Sequence, residues 1–212
     1  MKNVILSIVI SFVFMQAYST DDQYFKIMAS SIDDLDYCKT VEAYLECANK
    51  FERIANKEKT EWLPYYYASF AYVNISFLEQ DVSKKDPLLD KAQELLDIAF
   101  QLAPTESELF VLQSFLYPSR IMVDPMGRGM LYLDKIYESL DKAEELNADN
   151  PRIYFLRAIN KLNLPESMGG GAEISKPIFK IAEEKFNSFV PATEISPNWG
   201  KEANEIELQK LN

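Results

Sequence analysis

The amino-acid sequence predicts an all-α protein, in which about four pairs of helices stack into a solenoid and a further helix caps the C-terminus. Three observations predict this fold class. No stretch after Thr20 shows the strict apolar–polar alternation or the β-branched runs that are typical of strands. A short polar residue followed at once by proline recurs along the chain, as it does at helix starts. Small and large apolar residues also recur at one fixed spacing.

Capping signals predict where the helices begin. A short polar side chain accepts hydrogen bonds from the first free backbone amides, and proline suits the first turn because no partner awaits its missing N–H. Thr105 and Glu108 add the spacing of a capping box, and Ser175 precedes a first turn that holds Pro177. The polar residues that stand directly before a proline are Asp86, Asp124, Asn150 and Ser196.

These signals and the apolar periodicity together predict the helix boundaries. Pro118 is expected to kink the fifth helix or end it early, because proline lacks the N–H that a helix interior uses. Trp199 lies in the last helix, which is expected to cover the apolar face of the final pair. The predicted helices cover residues 21–36, 40–57, 60–80, 87–103, 106–122, 127–147, 151–163, 176–189 and 198–210.

The fixed spacing is small–x3–large–x2–Ala–x4–Pro, with another small residue ten positions later inside the next helix. It resembles the tetratricopeptide repeat, in a degenerate form that covers residues 20–190. The resemblance implies a right-handed solenoid in which the first helix of each pair lines a concave groove. The copies contain Ala92, Leu96, Ala99, Pro104 and Ser114; Ile136, Leu140, Ala143, Ala148 and Ala158; Ser175, Phe179 and Ala182; and, more loosely, Cys47, Phe51 and Ala55.

The repeats are longer than the usual length of about 34 residues. Ala99 and Ala143 are 44 positions apart, and Ala143 and Ala182 are 39 apart. The spacing from the repeated alanine to the small residue of the next helix is the same in the copies. The extra residues are therefore expected between the two helices of a pair. The sequence therefore predicts loops at 82–86, 123–129 and 164–174, all along one edge of the solenoid.

Several segments resemble a group of secreted tetratricopeptide-like proteins from Bacteroidota. These segments are residues 49–66, 124–130, 150–152 and 197–202. Pro165, followed by the glycines at 169–171, is also similar to one loop of the tetratricopeptide T component of TRAP transporters. The first resemblance implies an extracytoplasmic protein, and the second implies a ligand-binding accessory of a transporter.

The first nineteen residues have the pattern of a secretory signal peptide. Lys2 supplies a positive charge, residues 4–15 are almost wholly apolar, and Ala17 and Ser19 fit a cleavage site before Thr20. The apolar run is shorter than the roughly 20 residues of a membrane span. No cysteine lies at the cut, so a lipid anchor is not expected there. The sequence thus predicts a periplasmic or secreted protein with a repeat domain at 20–190 and a capping segment at 191–212.

Composition and charge exclude several classes of function. The 33 acidic residues outnumber the 22 basic ones and give a net charge of -11, which argues against a nucleic-acid partner. The sequence has no histidine, so Ser–His and Cys–His nucleophile pairs, histidine-ligated zinc and imidazole acid–base catalysis are excluded. We therefore expect a protein that is not an enzyme and that carries no cofactor or metal.

Two groups of side chains are candidates for binding. Tyr65 and Tyr72 lie on the very aromatic third helix, where they either line the groove or belong to a helix that is buried all round. The basic candidates either bind a carboxylate of a ligand or acidic peptide, or form ion pairs with the abundant surface Asp and Glu. They are Arg128, Arg152, Arg157 and Lys161.

Cys38 and Cys47 are expected either to form a disulfide or to be two buried thiols. The function that the sequence favours is a non-enzymatic interaction module, whose groove holds a protein or peptide partner from the cell envelope. The alternative is a small-molecule-binding accessory of an envelope transporter, with a closed pocket around Tyr65, Tyr72 and Arg157.

Overall fold

The computed structural model describes residues 22–211, and these residues form α-helices, a short 3₁₀ turn and no strand. The all-α prediction is confirmed, whereas the predicted signal peptide at 1–19 lies outside the described residues. The helices are α1 (22–36), α2 (Val41–Lys57), α3 (Trp62–Leu78), α4 (Val82–Leu102), α5 (Ser107–Val123), α6 (Pro125–Leu146), α7 (Pro151–Asn163), α8 (Ala172–Ser188) and α9 (Lys201–Lys210).

The helices pack in consecutive pairs. α3 lies along α4, α5 along α6 and α7 along α8. The first helices of successive pairs also contact one another directly, α3 with α5 and α5 with α7, so they form one inner layer. The second helices α4, α6 and α8 form the outer layer. The described residues therefore form an all-α helical repeat solenoid.

The repeated residues form the packing between these layers. Small side chains let neighbouring helices approach closely, and the large residue between them fills the remaining gap. Ser114 and Ala158, the small residues of the following helices, are completely buried as well. The buried repeat residues of α2 and of the outer layer are Cys47, Phe51, Ala55, Ala92, Leu96, Ala99, Ile136, Leu140, Ala143, Ser175, Phe179 and Ala182.

Two of the predicted helix starts are confirmed. The Asp124 side chain accepts a hydrogen bond from the Gly127 amide, and the Asn150 side chain accepts one from the Arg152 amide. The capping box at Thr105 is wrong by one residue, because Glu106 caps α5.

Three other predicted starts are wrong. α4 begins five residues before Pro87 and is capped by Asp81, whose carboxylate accepts from the Ser83 amide. α8 begins after Gly171, so that Ser175 lies inside the helix and donates to the Ala172 carbonyl instead of capping. α9 begins at Lys201 rather than at the proline that follows Ser196.

The surplus residues of the repeats lengthen the outer helices, which corrects the loops predicted at 82–86 and 123–129. α4 has 21 residues and α6 has 22, and each begins within the predicted loop. Only the third surplus segment is largely non-helical, since α8 begins at Ala172.

An ion-pair cluster holds the extended ends of α4 and α6 against α5. Arg128 donates two hydrogen bonds to Asp86, each 2.8 Å long, and these bonds hold the pKa of Asp86 below its usual value. Arg120 donates to Asp86 at 2.8 Å and to Asp90 at 2.6 Å. These contacts explain why α5 continues past Pro118 to Val123, so that of the two expected effects of Pro118 the early end is wrong.

A buried ion pair joins α5 to α7. Arg152 is completely buried, and its Nε donates to Glu108 Oε2 at 2.9 Å. Asn150 Nδ2 donates to Glu108 Oε1 at 2.8 Å, so the carboxylate has partners from two residues of the facing segment. Burial raises the pKa of Glu108 against the opposing pull of the Arg152 charge.

Replacing Arg152 by Ala is expected to lower the free energy of unfolding by about 3–5 kcal/mol, because Glu108 would be left buried without its counter-ion. Urea denaturation measures this. Lys50→Ala is the matched control, because the Lys50–Asp34 pair is about half exposed and its loss should cost at most about 1 kcal/mol. Equal losses in the two variants would contradict the structural role of the buried pair.

Candidate functional site

The segment 189–200, which we call the C-terminal tail, returns from α8 along the inner layer to α3. Tyr67 donates its hydroxyl hydrogen bond to the Ile195 carbonyl at 2.9 Å, and Trp199 Nε1 donates to the Tyr66 hydroxyl at 2.7 Å. Ile195 is only 1 % exposed and packs into the hydrophobic core that α1 to α5 form. The tail therefore connects the last helices of the solenoid with the third.

Trp199 lies across the inner faces of two helices. Its ring centroid is 5.1 Å from that of Phe70 on α3 and 5.5 Å from that of Phe115 on α5. The next residue, Gly200, has a φ of 103°, and a Cβ there would lie 3.0 Å from the Phe186 ring. Glycine is thus required by both the backbone and the available space.

The buried ion pair lies beneath this tail. The Arg152 guanidinium carbon is 4.6 Å from the Phe189 ring centroid and 5.9 Å from that of Trp199. Its Nη1 also lies 3.5 Å from the Trp199 carbonyl oxygen. Arg152, which the sequence suggested as a ligand-binding residue, therefore contacts Glu108 and the chain's own tail.

The position of Trp199 corrects the sequence-based view of the C-terminus. α9 does pack on α8, where Asn204 Nδ2 donates to the Phe179 carbonyl and Leu208 is buried. Trp199, however, precedes α9 and lies on α3 and α5 instead of the final pair. Trp199 packs there because the Phe70 ring on the inner face of α3 would otherwise remain exposed to water.

An apolar pocket of about 640 Å³ lies beside the tail, between the C-terminal ends of α3, α5 and α7 and against α6. This volume is within the range of about 300–1,000 Å³ of small-molecule sites. No charged side chain is among its lining residues. The lining consists of Phe77, Phe115, Pro118, Ile121, Met122, Leu133, Ile136, Leu156, Ile159, Asn160, Asn163 and Leu164.

The pocket exists because one helix junction is loosely packed. α6 contacts α7 much less extensively than α2 contacts α3 or α4 contacts α5. Phe115 separates the gap from the tail, because its ring centroid is 5.2 Å from that of Phe77 and 5.5 Å from that of Trp199. One aromatic ring therefore contacts both the pocket wall and the tail.

The polar groups of the pocket are two amides on α7. Asn160 Nδ2 donates to the Leu156 carbonyl at 2.7 Å, and Asn163 Nδ2 donates to the Ile159 carbonyl at 2.9 Å. Each side-chain amide therefore already donates one of its N–H groups to a backbone carbonyl of α7. The pocket can thus hold a largely apolar molecule and offers it few directed polar contacts.

Exposed methionines extend the apolar surface from the pocket onto the start of α6. Met122 lines the pocket and is 49 % exposed, while Met126 and Met130 are 97 % and 64 % exposed. Met126 and Met130 are one helical turn apart and lead towards Leu133 in the pocket wall. We call Met122, Met126 and Met130 the methionine rim; such flexible, polarisable side chains adapt to irregular partners.

The six residues predicted to bind a ligand do not come together, and none of them lines the pocket. Tyr65 donates its hydroxyl to the Ala55 carbonyl at 3.2 Å. Tyr72 is buried and donates to Glu52 at 2.8 Å, and burial raises its pKa well above the usual value. Both tyrosines therefore join α3 to α2.

The basic candidates also have partners within the chain. Arg157 donates to Glu144 and Asp141, each at 2.6 Å, and Arg128 is held by Asp86. The Lys161 ammonium lies 5.2 Å from the Tyr137 ring centroid, on the helix that carries Asn160. A role of these residues in binding stays a prediction.

Sequence reasoning missed the pocket residues themselves. The signal was present in α5, whose last turns remain apolar at Pro118, Ile121 and Met122, beyond the repeated core positions. The gap that these side chains line depends on the α6–α7 contact, and that contact has no local sequence signal. Other surface depressions are more charged: the one between α1 and α2 is lined by Lys26, Lys50 and Arg53 among others.

Within residues 22–211, no group of three or more Cys, Asp or Glu side chains is arranged to hold a metal ion. Within the same range, every helix is too short or too polar to cross a membrane.

Replacing Trp199 by Ala is expected to lower the free energy of unfolding by about 3 kcal/mol, because the contacts with Phe70 and Phe115 are lost. Trp199→Phe is the matched control. It keeps an aromatic ring but loses the hydrogen bond to Tyr66 and part of the indole's buried surface, at a cost of about 1–2 kcal/mol. Chemical denaturation measures both, and an unchanged stability of the Ala variant would show that the tail does not pack on the inner face.

No model of a known protein family matches the chain, and no curated protein matches it. Among solved structures, the chain is similar to the HusA haemophore from Porphyromonas gingivalis, with a TM-score of 0.80 and 28 % identity over 89 % of this chain and 92 % of that one. It is also similar to a thermophilic TPR protein of Thermus thermophilus, with a TM-score of 0.56 and 17 % identity over 81 % of this chain and 77 % of that one.

The likeness to the TPR protein concerns the fold alone and agrees with the helical repeat solenoid. The haemophore comes from a member of Bacteroidota, the group that the sequence segments resemble. Fold and neighbours together support a helical protein-interaction or binding module.

Proposed function

We propose that this protein is a non-enzymatic, extracytoplasmic carrier that holds a flat apolar ligand of the porphyrin class, such as haem, in the pocket between α5 and α7. The observation that carries the proposal is the uncharged pocket of about 640 Å³. The likeness to a haemophore over most of both chains supports the ligand class. The pattern of residues 1–19 supports export from the cytoplasm.

The tail favours a small ligand over a peptide. The inner face of α3 and α5 is where a peptide was expected, and Ile195 and Trp199 already occupy part of it. The pocket lies beside this covered part, between the C-terminal ends of α3, α5 and α7. Of the two functions that the sequence suggested, the small-molecule carrier therefore has more support from the geometry.

The pocket suits a planar macrocycle. Phe77 and Phe115 offer aromatic faces, and such rings gain free energy from offset or edge contacts in addition to burial. Pro118 and Ile159 add rigid apolar surface. Because no charged side chain lines the pocket, the carboxylates of a porphyrin would stay at its mouth, in water.

Haem iron would find few ligands here. The chain has no histidine, and Met122 is the one lining residue whose side chain carries a sulfur that can ligate haem iron. Apolar contact with the macrocycle would then supply most of the binding free energy. In this proposal the protein carries haem as cargo and performs no reaction on it.

A protein partner is a second candidate, favoured by the methionine rim. Contiguous exposed apolar side chains beside a pocket are typical of interaction surfaces. Contact at the rim would serve an envelope partner that delivers or receives the ligand, in accord with the interaction module that the sequence suggested.

Titration with haem is expected to give saturable, one-to-one binding that Leu133→Asp weakens at least tenfold, because the pocket would then hold an unpaired carboxylate. Tryptophan fluorescence and porphyrin absorbance measure the affinity. Ile181→Asp is the matched control, since Ile181 is a half-exposed residue of α8 outside the pocket. Absence of saturable binding, or equal loss in both variants, would contradict the proposed site.

Met122→Leu is expected to keep haem affinity within about threefold, because this exchange nearly conserves side-chain volume. Metal-free protoporphyrin is expected to bind about as well as haem, measured by the same titration. A tenfold loss of haem affinity in Met122→Leu, with unchanged affinity for the metal-free macrocycle, would instead identify the Met122 sulfur as an iron ligand.

A further inference from the structure

We propose that Cys38 and Cys47 form a disulfide in the mature exported protein, and that this bond fastens the first helix pair. The two residues are at the opposite end of the chain from α9, and neither lines the apolar pocket. The inference is therefore independent of the ligand, and it rests on the export that the proposed function includes.

The two sulfur atoms are already in contact. Cys38 Sγ lies 3.3 Å from Cys47 Sγ, and both residues are buried, at 5 % and 4 % exposed. A disulfide bond is about 2.05 Å long, so a further approach of only about 1.2 Å would form it. Cys38 lies just beyond the end of α1 and Cys47 lies inside α2.

A metal site is a weaker explanation for this pair. The described residues place no third Cys, Asp or Glu with these two sulfurs in a group that could hold an ion. The remaining polar contact is the Asp34 carbonyl, 3.5 Å from Cys38 Sγ. A thiol pair that is buried with no further ligand is suited to become one covalent bond.

The environment of the pair also determines when the bond would form. Burial and the contact with Cys47 raise the pKa of Cys38 to about 12, so the folded protein holds very little of the reactive thiolate at neutral pH. Oxidation would thus take place before α1 closes on α2. Once formed, the buried disulfide would be shielded from attacking thiolates.

The oxidant in this proposal is the disulfide of an extracytoplasmic thiol oxidase. One cysteine thiolate attacks that disulfide, forms a mixed disulfide and releases one oxidant thiolate. The second cysteine thiolate then attacks the sulfur of the first, which forms the Cys38–Cys47 bond and releases the other oxidant thiolate. The cysteines lose two protons and two electrons, and the oxidant's disulfide takes up both electrons to become a dithiol.

The first experiment uses the mature protein recovered from its own cells after acid quenching. The protein is denatured and treated with iodoacetamide without reductant, and its intact mass is measured. We expect no alkylation, a mass about 2 Da below that of the dithiol form, and two alkylations after reduction. Recovery of a chain with two thiols that react before reduction would overturn the proposal.

The second experiment tests the fastening on purified protein. Oxidised wild-type protein is expected to melt roughly 5–10 °C above the reduced form, because the bond closes a short loop. The Cys38→Ser and Cys47→Ser variants are the matched controls, and their melting temperatures should not respond to reductant. An equal melting temperature for oxidised and reduced wild-type protein would refute the fastening even if the variants fail to fold.

Discussion

The buried ion pair of Glu108 and Arg152 is the interaction on which the inner face depends. Removal of two charges from water is costly, and the cost is offset only where each charge is fully partnered. Here Asn150 also donates a hydrogen bond to the Glu108 carboxylate. The Arg152 guanidinium also lies against the Phe189 ring and near the Trp199 carbonyl oxygen. The same arrangement therefore joins α5 to α7 and positions the tail.

The tail determines which part of the inner face remains open. Solenoids of this kind offer a continuous concave surface, but here Ile195 and Trp199 cover its middle. The junction of α6 and α7 is left with a gap lined by apolar side chains. Phe115 contacts Trp199 and also lines the pocket. The surface that holds the tail and the surface that would hold a ligand therefore share one aromatic ring.

Local signals predicted the helices well, and long-range contacts account for what the sequence did not reveal. Asp124 and Asn150 cap as expected because a cap involves only the next two or three residues. The start of α4 was misplaced, since Pro87 is tolerated within a helix that Asp86 anchors to Arg128, 42 residues away. The pocket and the place of Trp199 depend on contacts across still larger separations, for which periodicity gives no signal.

The contact of Trp199 with Tyr66 joins residues 133 positions apart. An open solenoid, in which each repeat touches only its neighbours, can fold progressively from one end. In this chain Trp199 can cover the inner face of α3 only after α4 to α8 have been synthesised, because these five helices lie between them in the sequence. Completion of the inner face therefore has to wait until these five helices have been made, and the last contacts to form join distant parts of the chain.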